Sequence, residues 1–195
     1  MKYNSTSYAN SLFLTGLTFK GVWRELEANK GEKVLEIGCN QGILVKKMRE
    51  HGVDAQGIDI NSMAVKEANT KEVRCMDATS LQFPDNSFDK IYSLHTIEHI
   101  PDVKAVFQEI ARVLRPGGRA VLVYPAEPGI LRGLFALKSA IIAYKNPFLA
   151  RQIHVHSLNP GKIQELITGT SLRYARTVFP FLMFPQYLSI LEKQI

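Results

Sequence analysis

Two hydrophobic periods alternate along the chain, and their order predicts its architecture. Between about Thr18 and Asn29, Phe19, Val22, Trp23 and Leu26 recur at steps of three and four, an amphipathic helix that Asn29-Lys30-Gly31 ends. Val34, Leu35 and Ile37 then form a short apolar run into the turn Gly38-Cys39-Asn40-Gln41-Gly42. Ile43, Leu44, Val45 and Met48 follow at helical spacing to about His51. A second strand over Ala55–Ile60 carries Asp59 at its tip, and Met63, Ala64, Val65 and Ala68 mark the next helix. A third strand, Glu72–Met76, ends at Asp77-Ala78, and a turn-rich loop over Leu81–Asp89 feeds a fourth, Phe88–Leu94. A helix from about Asp102 to Leu114 is stopped by Arg115-Pro116-Gly117-Gly118, and Arg119–Tyr124 is a fifth strand. Strands alternating with helices and punctuated by glycine and proline predict an α/β fold with a doubly wound, mostly parallel sheet.

Beyond Pro125 the pattern changes. Ile130, Leu134, Leu137, Ile141 and Tyr144 fall on one helical stripe, widened by Leu131, Phe135 and Ile142. This predicts a helical insertion over 126–156, after strand five. Asn159-Pro160-Gly161 opens another helix with Ile163, Leu166 and Ile167, and Leu172–Phe179 alternates as a sixth strand. Pro180–Ile195 shows little alternation and reads either as a hydrophobic helix or as a sheet one strand short. All of this fits one domain over 1–195: a core at 18–125, the insertion at 126–156, and a helix, strand and tail at 157–195.

At 195 residues, 46% hydrophobic and 22% charged, the composition is that of an ordinary globular domain. The longest apolar runs fall short of a membrane span, and Met1–Asn10 is too polar for a signal peptide. Cys39 and Cys75 match no metal spacing and read as reduced thiols of a cytoplasmic protein. Charge changes the picture more. Residues 1–127 hold 16 basic and 16 acidic side chains, so the whole net charge of +6 sits in 128–195, eight basic against two acidic. Over 129–145 the apolar stripe carries Arg132, Lys138 and Lys145, which suits packing on the domain, a lid over an apolar or acidic substrate, or contact with an anionic lipid surface.

Chemistry concentrates in the first turn. Glycines between a parallel strand and a helix let backbone approach a ligand, at the edge where open α/β sheets bind theirs. The spacing here is Glu36-x-Gly38-x-x-x-Gly42, unlike the Gly-x-Gly-x-x-Gly of nicotinamide cofactors. It resembles motif I of the class I S-adenosylmethionine (SAM)-dependent methyltransferases, with Asn40 where that family usually has a further glycine. Asn tolerates positive φ, so the departure is mild. Leu114-Arg115-Pro116-Gly117-Gly118 before a strand is a second mark of these enzymes. The resemblance covers about 18–125 and looks closest to the broad type 11 group.

The resemblance implies a Rossmann-like fold, SAM as cofactor, and methyl transfer by in-line displacement. Glu36 would order the turn or meet the methionine amino group, and Gly38, Cys39 and Gly42 would shape the methionine pocket. Asp59 would hold the ribose hydroxyls, with Ile60 beside it. Asp77 and the Ala78 backbone would meet adenine, and Leu94 or the His95 backbone would flank the cofactor. Tyr3 and Tyr8 are candidate lid contacts.

His95-Thr96-Ile97-Glu98-His99 matches the His-x-x-Glu-His of inverted zinc peptidases, but Ile100-Pro101 leaves room for no more than about a turn of helix. No metal is expected. The stretch reads instead as a loop at the active-site mouth, with His95 and His99 the candidate general bases and hydrogen-bonded structural histidines the alternative. His154 and His156 share one face of an extended segment, near the substrate or simply packed. The expected acceptor is a small anionic or amphipathic molecule. A nucleic-acid methyltransferase and a SAM-binding module without activity are the alternatives, although no interleaved aromatic–basic patch signals nucleic acid.

Overall fold

A computed structural model describes residues 12–68, 70–126, 155–179 and 186–195. The expected helix over 129–145, together with Tyr3, Tyr8 and His154, lies outside them. The described chain runs α1 (Leu12–Leu26), β1 (Lys33–Ile37), α2 (Ile43–Glu50), β2 (Asp54–Asp59), α3 (Ser62–Lys66), β3 (Val73–Cys75), β4 (Phe88–Leu94), a single 3-10 turn (Ile97–His99), α4 (Val103–Val113), β5 (Leu114–Pro125), α5 (Pro160–Leu166), β6 (Leu172–Val178) and β7 (Gln186–Lys193). Seven strands form one sheet in the order β3-β2-β1-β4-β5-β7-β6. Pairs among β1 to β5 are parallel, and β7 pairs antiparallel with both β5 and β6.

Each face of the sheet buries its own apolar layer. On one side Val34, Val45, Met48, Tyr92 and Val121 pack with Phe19, Val22 and Leu26 of α1. On the other, Leu35, Ile37, Ile91 and Leu122 pack with Val106, Phe107 and Ile110 of α4 and Ile163 of α5. Helices therefore cover both faces, as the alternating pattern predicts.

Two expectations need correction. The described part of the tail, 186–195, is not a hydrophobic helix, and the sheet is not a strand short, because Gln186–Lys193 is β7. It lies between β5 and β6 and is buried on both faces over Leu188–Leu191, so no alternation marks it. α1 begins six residues earlier than the periodicity suggests and ends at Leu26, where Glu27 takes a left-handed conformation (φ 51°) and pairs with Arg119. Buried Glu25 pairs with Arg24 and Arg176, which fastens α1 to β6.

Candidate functional site

β1, β2, β3 and β4 all point their C-terminal ends at one edge, where the residues singled out in the sequence gather. The β1–α2 turn makes three excursions into positive φ: Gly38 (79°), Asn40 (50°) and Gly42 (74°). Asn40 adopts the left-handed conformation that its side chain tolerates, so the missing family glycine leaves the turn intact. Gly38 is required twice over. Besides its φ, a Cβ there would sit 2.1 Å from Thr96 Oγ1, because the loop after β4 crosses directly over it. Gly38→Ala is expected to cost about 2–4 kcal/mol of stability, read as a lowered urea midpoint, from clash and backbone strain together.

The turn spends most of its own amides. The N–H groups of Gly38 and Cys39 both donate to Ile58 O (2.8 and 2.9 Å), that of Asn40 to Asp59 Oδ2 (2.8 Å) and that of Gly42 to Cys39 O (2.8 Å). A wholly open amide cradle is therefore not what the sequence builds; contact across to β2 stiffens the turn instead. Asp59 is the organising group. Its Oδ2 takes the Asn40 amide and its Oδ1 the Asn61 amide (2.8 Å), so one carboxylate ties two strand tips together. Each oxygen keeps a further lone pair for a ligand hydroxyl. Asn61 caps α3, its Oδ1 accepting from the N–H groups of Met63 and Ala64.

Glu36 lies beneath the turn, 3% exposed, accepting from Tyr92 Oη (2.9 Å) and from the Val45 backbone in the first turn of α2. Burial pushes its carboxyl up to about 8; the Tyr92 hydrogen bond opposes this and the Asp59 charge adds to it. This position suits ordering the turn. Cys39 turns its side chain into the core, and burial pushes its thiol up, so it is inert and contributes through backbone. Asp77 Oδ1 accepts from both the N–H and the hydroxyl of Thr79 (2.8 Å each), which fixes the carboxyl at the exposed end of β3, beside buried Ala78. Ile43, Ile60 and Met63, three of the six large exposed hydrophobics among the described residues, follow the tips of β1 and β2. Apolar surface beside an acidic tip is what a nucleoside needs.

The loop after β4 adds a second constellation. His95 has φ 48°, uncommon for a non-glycine residue, and its amide donates to Val123 O. Glu98 is 1% exposed, and among the described residues neither of its carboxylate oxygens has a hydrogen-bond partner. His95 Nδ1 and His99 Nε2 stand 3.7 and 3.9 Å from its Oε1. The other ring nitrogen of His95 meets Gln186 Oε1 at 2.9 Å. Desolvation opposes charge on His95, but Glu98 and Gln186 more than offset it and raise its pKa above the usual imidazole value. The amides of Val155 and His156 close on Glu98 O, and His156 Nε2 meets Pro101 O, so this second histidine segment packs on the same loop. Neither Gln186 nor Thr18, which bonds it, stood out in the sequence; Gln186 lies 91 residues from His95 and 168 from Thr18, which leaves no local signal.

A seven-stranded sheet of this order, a glycine turn after β1 and acidic tips on β2 and β3 together define the class I SAM-dependent methyltransferase fold. The family model described as "Methyltransferase domain" matches residues 35–122. It is 34% identical over 108 residues to 27-O-demethylrifamycin SV methyltransferase of Amycolatopsis mediterranei, over 50% of this chain and 40% of that protein. It is 31% identical over 129 residues to phosphatidylethanolamine N-methyltransferase of Cereibacter sphaeroides, over 60% of this chain and 62% of that one. The chain thus spans less than two thirds of either relative. A solved SAM-dependent methyltransferase from Archaeoglobus fulgidus superimposes with a TM-score of 0.73 at 18% identity, covering 95% of this chain and 96% of that one.

Proposed function

We propose that this chain binds SAM along the edge formed by β1–β4 and transfers its methyl group to a small anionic or amphipathic acceptor. The observation that carries this reading is the convergence of the Gly38–Gly42 turn, Asp59 and Asp77-Ala78 on one sheet edge, within the segment that matches the family. The residues fit the cofactor: Asp59 has acceptor capacity for ribose hydroxyls, Ile60 and Met63 offer apolar surface, and Asp77 presents a fixed carboxyl. Gly38, Cys39 and Gly42 would shape the methionine end, Glu36 would hold the turn from below, and Leu94 would flank the cofactor.

SAM, when bound, supplies a methyl group made electrophilic by positively charged sulfur. The protein's part is alignment and exclusion of water, plus a place for any proton the acceptor releases. His95 and His99, flanking the buried Glu98, would take that proton. The acceptor class rests on the eight-to-two basic excess of 128–195 and on relatives whose names include a lipid-headgroup methyltransferase. Among the described residues no helix is long and apolar enough to cross a membrane.

Calorimetry with SAM, S-adenosylhomocysteine and NAD tests the cofactor, and radiolabelled methyl transfer to phospholipid headgroups, phenols and carboxylates tests the acceptor. Low-micromolar binding of both sulfur cofactors and none of NAD is expected. Tight NAD binding without SAM would overturn the reading.

A further inference from the structure

We propose that Gln186, seated on Thr18, is a positioning residue that fixes the ring orientation and tautomer of His95, leaving Nδ1 as the nitrogen that exchanges protons. The inference rests on the methyltransferase reading for its purpose, but its geometry is independent of it. Gln186 is 4% exposed at the start of β7, and its Nε2 donates to Thr18 Oγ1 of α1 (3.1 Å), also buried. That contact turns the amide oxygen toward His95 Nε2 at 2.9 Å. An amide oxygen can only accept, so Nε2 carries the ring hydrogen in the neutral imidazole and the lone pair lies on Nδ1.

Nδ1 faces Glu98 Oε1 at 3.7 Å, and His99 Nε2 lies 3.9 Å from the same oxygen. Two acceptor atoms, His95 Nδ1 and Glu98 Oε1, thus face each other where, among the described residues, no hydrogen bond satisfies the carboxylate. A gap of 3.7 Å is too long for a direct hydrogen bond, and a donor lying beside the pair can reach both atoms at hydrogen-bond distance. Such a donor is a hydroxyl or ammonium of the acceptor, which names the acceptor class as a protic oxygen or nitrogen nucleophile. In the transfer the X–H bond breaks and its proton goes to Nδ1. The X electron pair forms the new bond to carbon, and the carbon–sulfur pair returns to sulfur, giving the neutral thioether. Glu98 then faces the imidazolium it helps to hold. Among the described residues, the polar groups around the ring are Glu98 and His99 from its own loop and Gln186 from β7. His156 donates its amide to the Glu98 carbonyl, and its ring meets Pro101 O.

Long-range proton–nitrogen NMR of the histidine side chains tests this on the full chain, above the imidazole transition. Wild type is expected to show His95 in one state, Nε2 protonated and Nδ1 bare. Gln186→Met keeps length and bulk without the acceptor and should lose that signature to a mixture of tautomers. Gln186→Glu, which still accepts, should restore it. Thr18→Val should also give a mixture, by freeing the amide to flip, and serves if Gln186→Met does not fold. A wild type with hydrogen on Nδ1, or the same spectrum in Gln186→Met or Thr18→Val, would overturn the proposal. S-adenosylhomocysteine binding by the wild type, measured alongside, judges the cofactor reading separately.

Discussion

Replacing Asp59 by alanine is expected to weaken SAM and S-adenosylhomocysteine binding by about 1–3 kcal/mol, roughly one to two powers of ten in Kd. Two losses add in this variant. The first is the acceptor for ligand hydroxyls. The second is internal: the amides of Asn40 and Asn61 lose the carboxylate that binds both at 2.8 Å, and the turn keeps only the Ile58 carbonyl as its hydrogen-bond tether to β2. Stability should therefore fall as well, by a similar amount, in urea titrations without ligand. Asp59→Asn separates shape from chemistry. Its amide can accept from one of the two main-chain donors, but its NH2 must then face the other, so binding and stability should both fall although volume is unchanged. Calorimetry and denaturation on both variants check the claim. Full affinity in either would reduce Asp59 to a loop tether and remove it from the binding edge.

The second large effect concerns Glu36 and runs with pH. Its carboxyl is raised from the ordinary 4.5 to about 8, chiefly by burial. The sign follows directly: the folded state holds this proton more tightly than the unfolded chain. Stability from this group is thus complete below about pH 4.5 and is lost as pH rises toward and through 8. At about 1.4 kcal/mol per pH unit, the loss across that window is on the order of 3–5 kcal/mol. Glu36→Gln presents one acceptor and one donor to Tyr92 and Val45, as the neutral acid does, yet has no charge to bury. The variant should match wild type at pH 5 and exceed it by several kcal/mol at pH 9, measured by urea unfolding without ligand. Equal stability at both pH values would show that burial does not raise the Glu36 carboxyl and would sink the claim.

Most of the parallel half of the sheet can be read from the residues. Val34, Leu35 and Ile37 announce a strand buried on both faces, and Gly38 and Gly42 a turn that needs left-handed backbone; both are local properties. Asp59 and Asp77 could be placed at strand tips because strand ends are punctuated locally. What escaped was set by distance in the chain. Burial of Leu188–Leu191 on both faces erased the alternation that would have marked β7. Ile58 O takes two of the turn's amides because β2 lies against β1, which no neighbouring residue announces. Gln186 reads as an ordinary polar residue until the sheet sets it between Thr18 and His95. Even the exposed Ile60 gains meaning only from its place beside an acidic tip.

The position of β7 has a consequence for how the molecule is made. Residues 186–193 follow β6 in the chain, yet they fill the slot between it and β5. While a ribosome is still translating, everything up to Val178 can emerge with β5 showing a bare hydrogen-bonding edge and β6 unattached. Only when the following strand clears the exit tunnel can it zip both neighbours at once, so the nascent sheet depends on a strand made later than both to close that border.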